Sequence, residues 1–139
     1  MDMKLKDKIV AITGGAGDIG SEIAEEFLNE GCKVAVCGRT QKSLDAFKEK
    51  IIKSGKDILI KSADVSSMAE VEAFAQAITD TYGGIDIWVN CAGMEGYSPL
   101  IECTEEFWNK VIDVNLTGTW RGIKAASQGD RCFCGKVRS

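Results

Sequence analysis

Six consecutive residues in this chain are spaced to hold a phosphate group. Gly15-Ala16-Gly17-Asp18-Ile19-Gly20 is a G-x-G-x-x-G string. It follows the aliphatic run Ile9-Val-Ala-Ile12 and opens a stretch with Ile19, Ile23 and Phe27 at steps of four. A strand, a tight turn and a helix in that order give the string its meaning. Glycines let the backbone turn sharply and approach a pyrophosphate, whose charge meets the free N–H groups and positive dipole at the helix start. An ordinary strand-to-helix turn would use the same glycines, so the remaining motifs carry the decision. Asp18 places a carboxylate in the cradle. It reads as an N-cap accepting from the N–H of Gly20 or Ser21, a role that would steady the empty turn and weaken phosphate binding.

The end of the second strand reads the ribose in a dinucleotide site. An acidic residue there suits the 2′-hydroxyl of NAD, whereas an arginine suits the 2′-phosphate of NADP. The chain offers Cys37-Gly38-Arg39-Thr40. Arg39 and the missing acid favour NADP as cofactor, with NAD as the alternative. No histidine occurs anywhere, which removes histidine-based acid–base chemistry and histidine metal sites. Cys132-Phe-Cys134 supplies two thiols where a closed zinc site needs about four ligands, so no metal site is expected.

The elements that position these residues alternate. Ile9–Ile12, Lys33–Cys37, Ile58–Ile60 and Ile85–Val89 are short aliphatic runs, as expected of parallel strands buried on both faces. Helical patterns lie between them, over Ile19–Glu30 with Gly31 as its C-terminal stop and over Gln41–Lys53. A third begins at Ser67-Met-Ala-Glu70, spaced as a capping box, with Val71, Phe74 and Ile78 on one face. A fourth follows Thr104, with Glu105 and Glu106 at its positive end. Repeated strand–helix units with right-handed crossovers imply an α/β fold, a Rossmann-type doubly wound parallel sheet. Its ligand would sit at the C-terminal ends of the strands.

Composition narrows the classes further. The chain has 139 residues, 45% of them hydrophobic and 27% charged, and a formal charge of −4. That charge argues against a nucleic-acid partner. No apolar run approaches the ~20 residues of a membrane span, so no membrane partner is expected. Met1–Lys8 lacks the apolar core of a signal peptide. Six cysteines (Cys32, Cys37, Cys91, Cys103, Cys132, Cys134) in a chain without an export signal read as free thiols, which places it in the cytoplasm. Residues 1–126 form the expected Rossmann-like NAD(P)-binding domain, incomplete, and 127–139 an unpatterned tail of glycines, basic residues and cysteines.

Taken together, these segments resemble the short-chain dehydrogenase/reductase family from about Leu5 to Ala126. Thr13-Gly14-Gly15-Ala16-Gly17-Asp18-Ile19-Gly20 resembles the family's T-G-x-x-x-G-x-G turn, with Asp18 at the middle glycine. Asp64-Val65 resembles its adenine-contacting dipeptide, and Asn90-Cys91-Ala92-Gly93 its N-N-A-G, with Cys91 in the second position. Asn115 in Asp113-Val-Asn-Leu-Thr-Gly118 matches the asparagine of the following helix. Read without the resemblance, Asp64 caps a turn and Asn90 satisfies backbone groups between strands. Asn115 is costly inside a helix, which suits a specific hydrogen-bonding role.

The resemblance implies hydride transfer between a nicotinamide and an alcohol or carbonyl, with Asn115 shaping the catalytic site and its proton relay. It also implies a serine and a Tyr-x-x-x-Lys pair. Tyr82 is followed four residues on by Asp86 and Tyr97 by Ile101, so neither tyrosine has the spacing. The expectation is therefore a sheet truncated after about four strands and a chain catalytically inactive as it stands, its substrate belonging to a full-length form. The alternative is a non-enzymatic dinucleotide-binding or protein-interaction module. Self-association is expected through the open fourth strand or through the helix after Thr104, where Gly118 and Gly122 are spaced for close approach.

Overall fold

The computed structural model describes residues 3–128. Strands β1 (Ile9–Thr13), β2 (Lys33–Gly38), β3 (Leu59–Ser62) and β4 (Ile87–Asn90) form one parallel sheet in the order β3-β2-β1-β4. The first three strands step outward from β1 and the fourth returns to its other side. β1 is thus the switch point of the sheet, the place where such folds open a crevice. Register brings Thr13 beside Cys37 on one flank and beside Asn90 on the other, so the strand ends line up.

Alternation along the strands feeds two separate cores. Ile9 and Ala11 of β1, with Ala35 and Cys37 of β2, point to the face covered by α3 (Met68–Tyr82) and α5 (Gly118–Ser127). Val10, Ile12, Val34 and Val36 point to the opposite face, covered by α1 (Asp18–Asn29) and α2 (Gln41–Lys53). The expected doubly wound α/β architecture is what the chain adopts. Phe74, Val71 and Ile78 are fully buried, as the third helix's pattern requires.

Several boundaries differ for local reasons. β4 begins at Ile87 because the Asp86 carboxylate accepts from the Ile9 N–H at 2.8 Å and so caps the start of β1. In α1 the buried face runs through Gly20, Ala24 and Leu28, with Ile23 and Phe27 flanking it. Ile19 is 71% exposed, on the rim of the strand-end crevice. Only half of the capping box forms. Ser67 Oγ accepts from Glu70 N, but the Glu70 carboxylate accepts from the Asp64 amide at 2.7 Å, since Ser67 N is already satisfied by the Asp64 carbonyl.

The fourth helix is continuous but not uniform. Thr104 Oγ1 accepts from Phe107 N and starts α4 (Glu105–Ile112); a π-helical turn, Asp113–Thr117, then leads into α5. Ser127, expected from sequence to start a patternless tail, is the last residue of α5. Gly118 and Gly122 do not face outward as expected of a contact surface. A Cβ at Gly122 would lie 2.3 Å from Asn90 Oδ1 and 2.5 Å from Trp88 Nε1, and one at Gly118 would lie 3.0 Å from Val65 Cγ2. Their smallness seats the helix on its own sheet. Cys132 and Cys134 lie outside the described residues; Cys32, Cys37, Cys91 and Cys103 are free thiols.

Candidate functional site

A solvent-open cleft of about 690 Å³ runs across the C-terminal ends of the strands. Of the residues singled out from sequence, Gly14, Gly17, Asp18, Ile19, Gly20, Arg39, Asp64, Val65, Ala92, Gly93 and Asn115 line it together. Thr13, Gly15 and Asn90 do not, and each does something else.

Thr13 holds the two halves of the cleft floor together. It is buried, and its Oγ1 accepts from the N–H groups of Cys91 and Ala92, both at 3.2 Å. That pair of bonds ties the end of β1 to the loop after β4. Gly15 sits where a Cβ would come 2.4 Å from the Val36 side chain, and its N–H donates to the Cys37 carbonyl. Asn90 accepts from Trp88 Nε1 at 3.0 Å, so its side chain meets an indole and α5 rather than the backbone groups expected.

The glycine turn is steric necessity as much as flexibility. Gly14 has φ +66°, and a Cβ there would fall 2.8 Å from the Ala92 backbone. At Gly20 it would fall 2.2 Å from the Gly14 carbonyl oxygen. Helix α1 therefore starts against the loop, with its N–H groups facing the cleft. Its N-cap is Gly17, which offers no side-chain hydrogen bond. Asp18 is the first helical residue and does not cap, contrary to the expectation; at that position its charge still suits the helix dipole. A helix start without a side-chain cap, walled by glycines, fits a phosphate oxygen as the missing acceptor.

The opposite wall is polar. Asp64 Oδ1 accepts from Ser66 N at 2.9 Å and from Ser66 Oγ at 2.6 Å, forming the turn that sequence suggested. Burial alone would raise the Asp64 carboxyl, but the Ser66 bonds and the charges of Arg39 and Arg121 outweigh it and leave the pKa below the usual carboxylate range. Asn115, in the π turn, accepts from Met94 N at 2.7 Å and donates to Met94 O at 2.8 Å. Both arms of its amide are spent on one residue of the loop after β4. Cys37 lies beneath the cleft, where burial pushes its thiol up to about 12, against a smaller opposing effect of its hydrogen bond with the Gly14 backbone.

Sequence reasoning misses Thr40, Ser43, Cys91 and Met94, all in the lining. Thr40 and Ser43 flank Arg39 at the start of α2, and two hydroxyls beside an arginine are the available signal. Met94 carries none, since its part is played by backbone atoms. Among the described residues no group of three or more His, Cys, Asp or Glu is placed to hold a metal ion, and no helix is long and apolar enough to cross a membrane.

A parallel sheet with this strand order, a glycine turn at its switch point and a cleft over both define a Rossmann-type nucleotide-binding protein. The family model for short chain dehydrogenases matches residues 8–131, and the chain belongs to that oxidoreductase family. A levodione reductase of Leifsonia aquatica is 34% identical over 124 residues, covering 87% of this chain and 46% of that protein. An uncharacterized oxidoreductase of Staphylococcus saprophyticus is 36% identical over 125 residues, covering 88% and 53%. Among solved structures, a variant of actinorhodin polyketide ketoreductase with NADPH superposes with a TM-score of 0.85 at 33% identity, covering 88% of this chain and 47% of that one. The chain thus spans about half the length of the relatives it matches.

Proposed function

We propose that this chain supplies the cofactor site of an NADP-preferring short-chain dehydrogenase/reductase. The carrying observation is the juxtaposition, in one cleft, of the uncapped α1 start with Arg39. Phosphate oxygens would take the α1 amides, and the Arg39 guanidinium, with Thr40 and Ser43 beside it, would take a 2′-phosphate. Asp64 and Val65 would flank the adenine, while Ala92, Gly93 and Asn115 lie toward the nicotinamide end. Hydride exchange with an alcohol or carbonyl is the chemistry the cofactor brings when bound; related proteins named as a levodione reductase and a ketoreductase support a carbonyl substrate. This chain's own residues place the dinucleotide and order the loop after β4 through Asn115. Neither Tyr82 nor Tyr97 has a lysine four positions on, so in this reading these residues serve the cofactor and not the proton transfer.

Titration of the chain with NADPH and NADH, before and after Arg39→Ala, tests this reading. NADPH affinity should fall about tenfold and NADH affinity should hold, the difference being one charge-assisted contact. Equal losses for both would remove the NADP preference. Absence of binding to either would remove the cofactor site.

A surface observation favours self-association as well. Trp108 (58% exposed), Ile112, Leu116 (65%), Trp120 (54%) and Ile123 project outward along α4, the π turn and α5. This apolar stripe, rather than the glycines, is the contact surface we propose for a second copy. Light scattering on a sizing column should give twice the chain mass.

A further inference from the structure

Arg121 belongs to α5 but is spent on two other segments. Its side chain is 14% exposed, on the inward side of the helix between Gly118 and Gly122. Nη1 donates to the Val65 carbonyl at 3.0 Å and to the Asp113 carbonyl at 3.3 Å, while Nη2 donates to Asp113 Oδ1 at 2.7 Å. Asp64 and Val65 form one wall of the cleft, and the π turn carrying Val114 and Asn115 forms another. Arg121 itself does not line the cleft.

The π turn makes this possible. Its wide winding hands the Asp113 carbonyl to the Gly118 N–H, five residues on, and leaves the oxygen within reach of the guanidinium. Gly118 in turn lets Val65 press against the helix backbone. A planar fork with five donors can serve two carbonyls and a carboxylate at once, whereas an ammonium is a single point of attachment.

We propose that Arg121 is a positioning residue of the dinucleotide site, fixing the Asp64–Val65 loop against the π turn so that adenine-side and nicotinamide-side walls keep one spacing. The inference rests on the cofactor reading above. Through Val65 it sets the adenine wall, and through Asp113 it sets the helix turn from which Asn115 reaches the loop after β4. The positive charge also lies near enough to Asp64 to favour its carboxylate, as does that of Arg39.

The test compares the wild-type chain with Arg121→Met and Arg121→Lys, using NADPH and adenosine 2′,5′-bisphosphate as ligands and the thermal midpoint as a parallel readout. Arg121→Met should weaken both ligands about tenfold, the size of one charge-assisted hydrogen bond. NADPH should lose more than the fragment, because it spans both walls. Arg121→Lys should recover part of the loss. If Arg121→Met does not fold, Arg121→Lys decides, since it keeps the charge and loses the fork; weaker binding of the fragment than by wild type supports the proposal and unchanged binding overturns it. An arginine serving stability alone would lower the midpoint and leave both affinities unchanged, which also overturns it. Wild-type protein that binds neither ligand overturns the cofactor reading and this inference with it, whereas wild-type binding with unchanged variants overturns the inference alone.

Discussion

The two flanks of β1 are finished differently. Toward β2 the sheet is covered on both faces, and Val10, Ala11, Ile12, Val34, Ala35 and Val36 are wholly shielded from solvent. Toward β4 the strand is an edge among the described residues, Ile87, Trp88 and Val89 are only half-buried, and the helix behind it turns two tryptophans to solvent. The glycine turn is set by steric contact, Gly15 against Val36 on the first flank and Gly14 against the Ala92 backbone on the second, whereas the loop after β4 is held by hydrogen bonds to Thr13 and Asn115. One wall of the cleft is thus set by sterics and the other by polar bonds. They should fail in different ways.

The sharpest way to break the first wall is Gly20→Ala. A methyl group 2.2 Å from a backbone carbonyl must displace the turn, at a cost of about 2–3 kcal/mol. Urea denaturation should show that loss, together with loss of NADPH binding; an unchanged midpoint would refute the steric account. Thr13→Val breaks the second wall. Two N–H groups lose their acceptor, at about 2 kcal/mol, and Thr13→Ser should restore most of it if the hydroxyl is what matters.

Asp18→Asn sharpens the comparison at the cleft mouth. Asp18 contributes no stability as a cap, so removing its charge should tighten NADPH by about threefold while costing only a few tenths of a kcal/mol in helix-dipole energy. Isothermal titration at low salt reads both signs. On the outer face, Leu116→Ser with Trp120→Ser should change monomer stability by less than about 0.5 kcal/mol and shift light-scattering mass toward a single chain. A large loss of stability there would mean that the stripe packs internally.

The smallest effect concerns acid. The folded pKa of Asp64 is depressed, so its contribution is present above the ordinary carboxylate range, about pH 4, and is lost as pH falls through the lower folded value. The group is partly exposed, and screening keeps the effect to about a few tenths of a kcal/mol. Below pH 4 the stability of Asp64→Asn should therefore fall less steeply than wild type. Parallel acid limbs would show that the Ser66 bonds contribute nothing.

Much of this site is legible in the order of residues alone. Aliphatic runs bounded by turns locate all four strands to within two residues, because a strand buried on both faces tolerates little else. Gly17, Gly20 and Arg39 are identified by type and spacing, Gly14, Asp64, Ala92, Gly93 and Asn115 by the family resemblance, and they meet in one cleft. What misleads is boundary and direction. Asp18 reads as a cap although the helix starts one residue earlier than that, and Gly118 and Gly122 read as an outer face because their helix is known without its rotation.

The sequence by itself determined which segments are strands and helices, and that a glycine turn opens the first helix, since local periodicity and backbone sterics settle those matters within a dozen residues. Only the tertiary structure decided what the inward faces touch. The π turn at Asp113–Thr117, the reach of Arg121 to Val65 and the bonds of Thr13 to Cys91 and Ala92 join residues up to 79 positions apart. Such contacts depend on how helices and strands are seated against one another, and no local pattern records that.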